Sequence, residues 1–384
     1  MFLANVLTVC SAVVTSLLTA WALGAEGRGD LAVIVLFPNI IALVFGLGMP
    51  QGTRYFVASE PARLSSLFPN AVYFSIILGL VGLAGAMLVV PSLVGERSEA
   101  VMWLVTAYLI NIPLALLYDM MAGMLEGARQ FKWAAFSRIL FFGIQSVAYT
   151  ALWLTGHLTI YNAAFTMLIA QIANTTSAFL CVLLVMKPGW QPSFRSFKET
   201  AIFGLKYHLG VVTSFTTLRL DQLMLVGIAT SVEMGLYVIA VRISEVMTVL
   251  ASSVSEVLMP EVASSAKDDR SMRLLMRSLR LTIYVFMIGL VPLLFLAPYI
   301  LQYAFGTEFL AASSTLRILL VASMIWSAGA IVNSGLNGLG YPGLSTLSRL
   351  SSAVITVITL LFWLPRYGIV GAALSSLAGY SMLL

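Results

Sequence analysis

LEGARQFKWAAFSR, residues 125–138, is a short polar stretch caught between two long apolar runs, and its reading decides the fold. It carries Arg129, Lys132 and Arg138. The flanking runs, 101–123 and 135–155, each supply the roughly 20 apolar residues that cross a hydrocarbon core of about 30 Å. The stretch recurs. Residues 336–349 read LNGLGYPGLSTLSR, and Leu, Gly, Ser and Arg coincide at an offset of 211. Met49-Pro50 and Met259-Pro260 recur at an offset of 210, each at the end of an even-numbered apolar run. Two matches on one period, in equivalent positions, mark an internal repeat. The period holds six runs, an even number, so both halves enter the membrane in the same direction. Such parallel repeats are related by an axis along the membrane normal, with substrate bound between them.

Working outward, twelve apolar runs centre near 5–23, 31–50, 70–91, 101–123, 135–155, 160–186, 205–229, 235–259, 279–301, 313–335, 345–364 and 368–384. The expected fold is therefore an all-α polytopic membrane protein of about twelve spans. Its N-lobe covers residues 1–190, a cytoplasmic linker 191–204, and its C-lobe 205–384. The chain has 384 residues, 10% charged, and no gap long enough for a soluble domain. Mean hydropathy is +0.98. By the 210-residue offset Leu384 maps to Asn174, in the middle of span 6, so span 12 is expected to be incomplete.

The basic residues fall in every second gap. Fifteen of the 21, among them Arg54, Arg63, Arg129, Arg138, Lys198 and Arg277, lie in the gaps that follow even-numbered spans. Only Arg28, Arg97 and Arg366 lie in the opposite gaps. That bias places the N-terminus in the cytoplasm and the protein in an inner membrane. Most tryptophans, such as Trp21, Trp103, Trp133, Trp153 and Trp363, fall near span ends, as an interfacial belt requires. The net charge of +5 then reads as cytoplasmic loop charge, not as a nucleic-acid surface.

Ionisable residues inside spans point to function or to pairing. Arg219 and Asp221 lie on span 7, Arg242 and Glu245 on span 8, about a hairpin tip near residues 231–232. Asp221 and Arg242 are each about 15 Å below that tip at 1.5 Å per residue. Arg219 and Glu245 are nearly matched in depth too, so two opposite-sign pairs are expected across the hairpin. They either fix helix register or form a cationic lumen. In the lumen Arg219 and Arg242 would grip a phosphorylated substrate through their planar forks, and Asp221 and Glu245 would tune it or carry a coupling proton. Asp119, a lone acid on span 4, pairs with a loop arginine or acts in coupling. Arg54 and Arg138 are topology signals that could also meet a substrate entering from inside. Arg317 and Glu256 are expected to snorkel outward. The basic amphipathic segment 264–280 is expected to lie on the inner leaflet.

Other chemistry is missing from the pattern. Cys10 and Cys181 lie in apolar runs, and His157 and His208 are far apart, so neither a disulfide nor a metal site is expected. The glycine-rich LGAEGRGD (23–30) has no phosphate-loop lysine and reads as an extracytoplasmic turn. No cofactor is implied, and no His/Asp catalytic pair or large outward loop suggests a membrane enzyme.

LGAEGRGDLAV…LGMPQGTRYFVA (23–58), LRLDQLMLVGIATSVEMGLYVIAVRISE (218–245), NGLGYPGLSTLSR (337–349) and LPRYGIVGAALSS (364–376) resemble the polysaccharide flippases of the multidrug/oligosaccharidyl-lipid/polysaccharide exporter superfamily. The resemblance spans nearly the whole chain. It implies a two-lobed transporter that flips an undecaprenyl-diphosphate-linked oligosaccharide to the periplasmic leaflet, driven by an ion gradient (H+ or Na+) and not by ATP. It also implies glycosyltransferases and a glycan polymerase of the same pathway as partners, and no nucleic acid. By the resemblance Arg219, Asp221, Arg242 and Glu245 match the family's charged hairpin. A cation-coupled drug or metabolite antiporter of the same superfamily is the alternative, weakened by the absence of any charge in span 1.

Overall fold

The computed structural model describes residues 2–94, 97–264 and 269–384. The side chains of Glu256, Met259, Pro260 and residues 263–271 lie outside the described residues. Among the described residues the chain is helical and holds no strand. Among the described residues eight helical segments are long and apolar enough to cross a membrane, and the protein is a multi-pass membrane protein. By internal contacts it divides into two compact units, Met1–Val212 and Thr213–Leu384.

The first unit begins with α1 (Phe2–Phe45). Its 44 residues would make a rod of about 66 Å, twice the hydrocarbon thickness. Gly24, at φ 66° and ψ −173°, breaks it into two limbs. A residue with a Cβ rarely takes that conformation. The rest of LGAEGRGD is helical, so the expected turn is a one-residue break. A turn at 46–48 leads into α2 (Met49–Ser59), and α3 (Leu64–Leu93) follows. α4 (Glu99–Tyr108) is capped at its N-terminus by the Ser98 hydroxyl, which accepts from the Val101 N–H. α5 (Asn111–Gly127) is the central helix, packed on α1, α2, α3, α6 (Phe131–Leu154) and α7 (Ile160–Cys181). α5 and α2 cross closely along Gly123 and Gly127. A Cβ at Gly123 would lie 2.7 Å from the Pro50 carbonyl oxygen, and one at Gly127 2.5 Å from that of Arg54. Small residues four apart let two backbones touch where lipid gives helices little hydrophobic reason to associate.

The residues expected as the cytoplasmic linker, 191–204, make contacts along their length. Residues 194–204 are the first turns of α8 (Phe194–Ile228). Pro69 has no N–H to give the Ser65 carbonyl four residues earlier; the Gln191 N–H supplies that bond at 2.9 Å. Asn70 donates to the Ser193 carbonyl at 2.8 Å. Arg63 pairs with Glu199, which also holds Arg195, and these cations keep the Glu199 carboxyl below its ordinary range. The Tyr55 and Phe203 rings stack at 4.3 Å, and Gly204 lies against Gly48. At the other end of the helices Arg97 and Asp30 form a nearly buried pair at 2.7 Å.

The second unit holds the rest of α8, then α9 (Ser231–Ser264), α10 (Asp269–Ile300), α11 (Ser313–Gly338) and α12 (Pro342–Ser381). A capping box starts α9: the Glu233 N–H donates to the Thr230 hydroxyl and the Thr230 N–H to the Glu233 carboxylate. α11 is central here, packed on α9, α10 and α12. α12, like α1, is broken in two, at Gly368 with φ 54°. Residues 269–280, part of the basic segment expected on the inner leaflet, are the first turns of α10. Arg317 is exposed, and its Nε donates to the Leu294 carbonyl at 2.9 Å, the one that Pro298 leaves without its helical donor.

The repeat is visible in the backbone. α5 ends at Gly127 and α11 at Gly338. The Gln130 N–H donates to the Leu125 carbonyl, and the Tyr341 N–H to that of Leu336. Ala128 bonds Met124, and Leu339 bonds Gly335, in the same way. Both turns pivot on a left-handed residue, Arg129 at φ 58° and Gly340 at φ 87°.

Candidate functional site

The charged hairpin of the second unit is formed by α8 and α9, which turn at Ala229–Thr230. Arg219 on α8 meets Glu245 on α9 at 2.7 Å, as depth matching predicts. Arg242, one turn before Glu245, meets the other oxygen of the same carboxylate at 3.3 Å. One carboxylate thus serves two guanidinium groups, and the trio keeps one positive charge. Its side chains are only partly covered.

Asp221 does not pair with Arg242. It is 3% exposed, and neutral donors hold it. Tyr237 and Ser376 donate to Oδ2, the latter at 3.2 Å, and the Gln222 N–H donates to Oδ1 at 2.7 Å. Two physical reasons account for the change. At 3.6 residues per turn, Asp221 lies about 200° around the helix from Arg219, so the two face opposite ways. The turn also comes two residues earlier than expected, which moves the cross-hairpin register by about one turn. About Ala229, Asp221 is the mirror position of Tyr237. Placing the turn correctly would have found Tyr237; Ser376, far along the chain on α12, left no local signal.

The first unit repeats the chemistry with other residues. Arg54 on α2 reaches Glu126 on α5 at 2.8 Å, and Arg138 on α6 reaches the other Glu126 oxygen at 3.5 Å. Glu126 is the residue sequence reasoning missed, although it lies in the same polar stretch as Arg138. Asp119 has no cation within ion-pair distance among the described residues. Its side chain stays accessible although helices surround α5, and it lies two turns before Glu126 on one face.

Each trio is an arginine pair bridged by a carboxylate. A phosphate, though tetrahedral, offers a guanidinium fork two oxygens as a carboxylate does, with more oxygens and more charge to spare, and arginine suits it for that reason. Among the described residues no group of three metal-ligating side chains occurs.

Comparison with known proteins bears on the fold and the family. An uncharacterized membrane protein of Methanocaldococcus jannaschii is 24% identical over 376 residues, 94% of this chain and 88% of that protein. A probable low-salt glycan biosynthesis flippase of Haloferax volcanii, Agl15, is 22% identical over 195 residues, 50% of this chain and 41% of that protein. Among solved structures, the lipid II flippase MurJ in an inward closed conformation superposes with a TM-score of 0.83 at 15% identity, covering 100% of this chain and 86% of MurJ. An inward-facing multidrug resistance MATE family transporter of the MOP superfamily gives 0.78 at 16% identity, covering 98% and 92%. At such identities the two structures show a shared fold. A family profile described as "Polysaccharide biosynthesis protein" matches residues 9–314, and the chain belongs to that family of multi-pass membrane proteins.

Proposed function

We propose that the protein is a flippase that carries an undecaprenyl-diphosphate-linked oligosaccharide across the cytoplasmic membrane for surface polysaccharide synthesis. The observation that carries this reading is the trio Arg219–Glu245–Arg242. Arg219 is nine residues before the end of α8 and Arg242 eleven after the start of α9, so both lie about 15 Å from the hairpin turn, at bilayer depth. A cationic site at that depth is costly unless an anion uses it. The diphosphate displaces the carboxylate from one or both arginines, and the carboxylate takes them back when the substrate leaves.

In this reading two lobes, 1–190 and 205–384, rock in alternating access, with the N-terminus in the cytoplasm. The trio Arg54–Glu126–Arg138 then lies at the cytoplasmic end, where the diphosphate enters. H+ or Na+ coupling falls to Asp119 or Asp221. The glycan flippase and lipid II flippase named among its relatives and structural neighbours support the substrate class.

The test replaces both hairpin arginines, Arg219→Ala with Arg242→Ala, and measures surface polysaccharide and the leaflet distribution of lipid-linked oligosaccharide in spheroplasts. Oligosaccharide should accumulate on the cytoplasmic side while the protein remains inserted. Normal export by the double variant would overturn the proposal. A second reading, a cation-coupled antiporter, is favoured by the accessible, unpartnered Asp119 and by the MATE likeness. It predicts that deletion changes drug sensitivity and leaves the surface glycan intact.

A further inference from the structure

One face of α10 carries a continuous stripe from charge to hydrocarbon. Arg273, Arg277, Arg280, Tyr284, Ile288, Val291, Phe295 and Tyr299 follow one another at spacings of three and four residues, so they share a face. The apolar part is bare: Ile288 is 75% exposed and Phe295 72%. Apolar side chains left bare in a row along a spanning helix face lipid, so the three arginines at the head of that row face lipid as well. All three are exposed, and among the described residues no carboxylate lies within ion-pair distance of them. An open, shallow groove of about 470 Å³ lies along this face of α10 itself, lined by Met272, Met276, Leu281 and Tyr284 beside the arginines.

We infer that this face is a binding site for an anionic phospholipid of the adjoining leaflet, separate from the hairpin arginines. The lipid phosphate sits on Arg273, Arg277 and Arg280, which span about 10 Å along the helix. One acyl chain lies in the methionine-lined groove and runs on past Tyr284 and Ile288. Charge complementarity selects the anionic headgroup, because each basic residue near an anionic lipid surface strengthens binding about fivefold. The apolar groove favours a lipid over a free phosphate, which would leave the methionines and Tyr284 uncovered.

The test uses the purified full chain in a neutral detergent, titrated with phosphatidylglycerol, phosphatidylcholine or inorganic phosphate, with bound lipid counted by native mass spectrometry. Phosphatidylglycerol should bind more tightly than phosphatidylcholine, and inorganic phosphate should not compete at equal concentration. Arg273→Gln, Arg277→Gln and Arg280→Gln together should weaken phosphatidylglycerol binding about a hundredfold, and Arg277→Gln alone about fivefold. The matching lysine variants should retain most of the binding, and Arg366→Gln, an exposed arginine elsewhere, should not change it. If the triple glutamine variant cannot be recovered folded, the single variant decides. Equal binding of the two lipids, or unchanged binding by Arg277→Gln and the triple variant, would overturn the inference.

Discussion

The close crossing of α2 and α5 can be tested by adding one methyl group. In Gly127→Ala the new Cβ would sit 2.5 Å from the Arg54 carbonyl oxygen and 3.1 Å from the Val57 Cβ. Ordinary contact begins near 3.4 Å, so the helices must part by about 0.9 Å at that point. The obstacle is backbone, which cannot turn aside as a side chain can. Overpacking of this kind costs about 1–3 kcal/mol, against at most about 1 kcal/mol gained by exchanging glycine for alanine in a helix. The expected balance is a loss of about 1–2 kcal/mol, or roughly 3–6 °C in midpoint for a unit of this size. The assay is thermal unfolding of the detergent-solubilised protein, followed by the fraction that stays monodisperse. Gly143→Ala on α6 is the internal control, since a Cβ there meets nothing within 4 Å; it should hold or raise the midpoint. Gly123→Ala, with 2.7 Å to the Pro50 carbonyl oxygen, should behave like Gly127→Ala. If Gly127→Ala melts with Gly143→Ala, the helices do not touch as described, and the Arg54–Glu126 contact beside them loses its support.

Two further predictions use the same melting assay. Arg129 holds the left-handed conformation that Gly340 holds one repeat later, so Arg129→Gly should stabilise by about 1 kcal/mol and Gly340→Arg destabilise by a similar amount; shifts of the same sign would refute the equivalence of the two turns. Arg317→Met should cost about 1–2 kcal/mol by abandoning the Leu294 carbonyl, and adding Pro298→Ala, which restores the helical donor, should recover most of it; strictly additive losses would show that the arginine does not serve that carbonyl.

Much of this architecture is legible in the sequence, for identifiable reasons. Apolar runs of bilayer length report membrane helices almost directly, because a continuous apolar run satisfies its backbone in lipid as a helix, whereas barrel strands alternate in polarity. The offset of 211 found the α5–α6 and α11–α12 turns because the same hydrogen bonds need the same spacing. Depth matching found Arg219 with Glu245, since both side chains are long enough to absorb an error in register. Asp221 is short, and the same error sent it to the wrong partner. Its true partners, Tyr237 and Ser376, are neutral, and charge counting passes over neutral donors. Glu126 was overlooked because it stands in a polar stretch where acids are ordinary. The segment 191–204 reads as linker because its composition is that of a loop; its contacts with α2 and α3 are long-range and leave no mark in local composition.

That segment bears on how the protein is made. The Ser65 carbonyl, the Asn70 amide and the Arg63 guanidinium all belong to the start of α3, yet their partners are Gln191, Ser193 and Glu199. Each must wait on the ribosome until the whole of α4 to α7 has been synthesised. By the end of that interval six apolar runs are in the bilayer, but the end of the first unit is unsealed. A nascent chain halted after Met186 therefore carries every span of its first half and still lacks the piece that closes it. Quality-control proteases should clear such a chain faster than one that is a mere twenty or so residues longer.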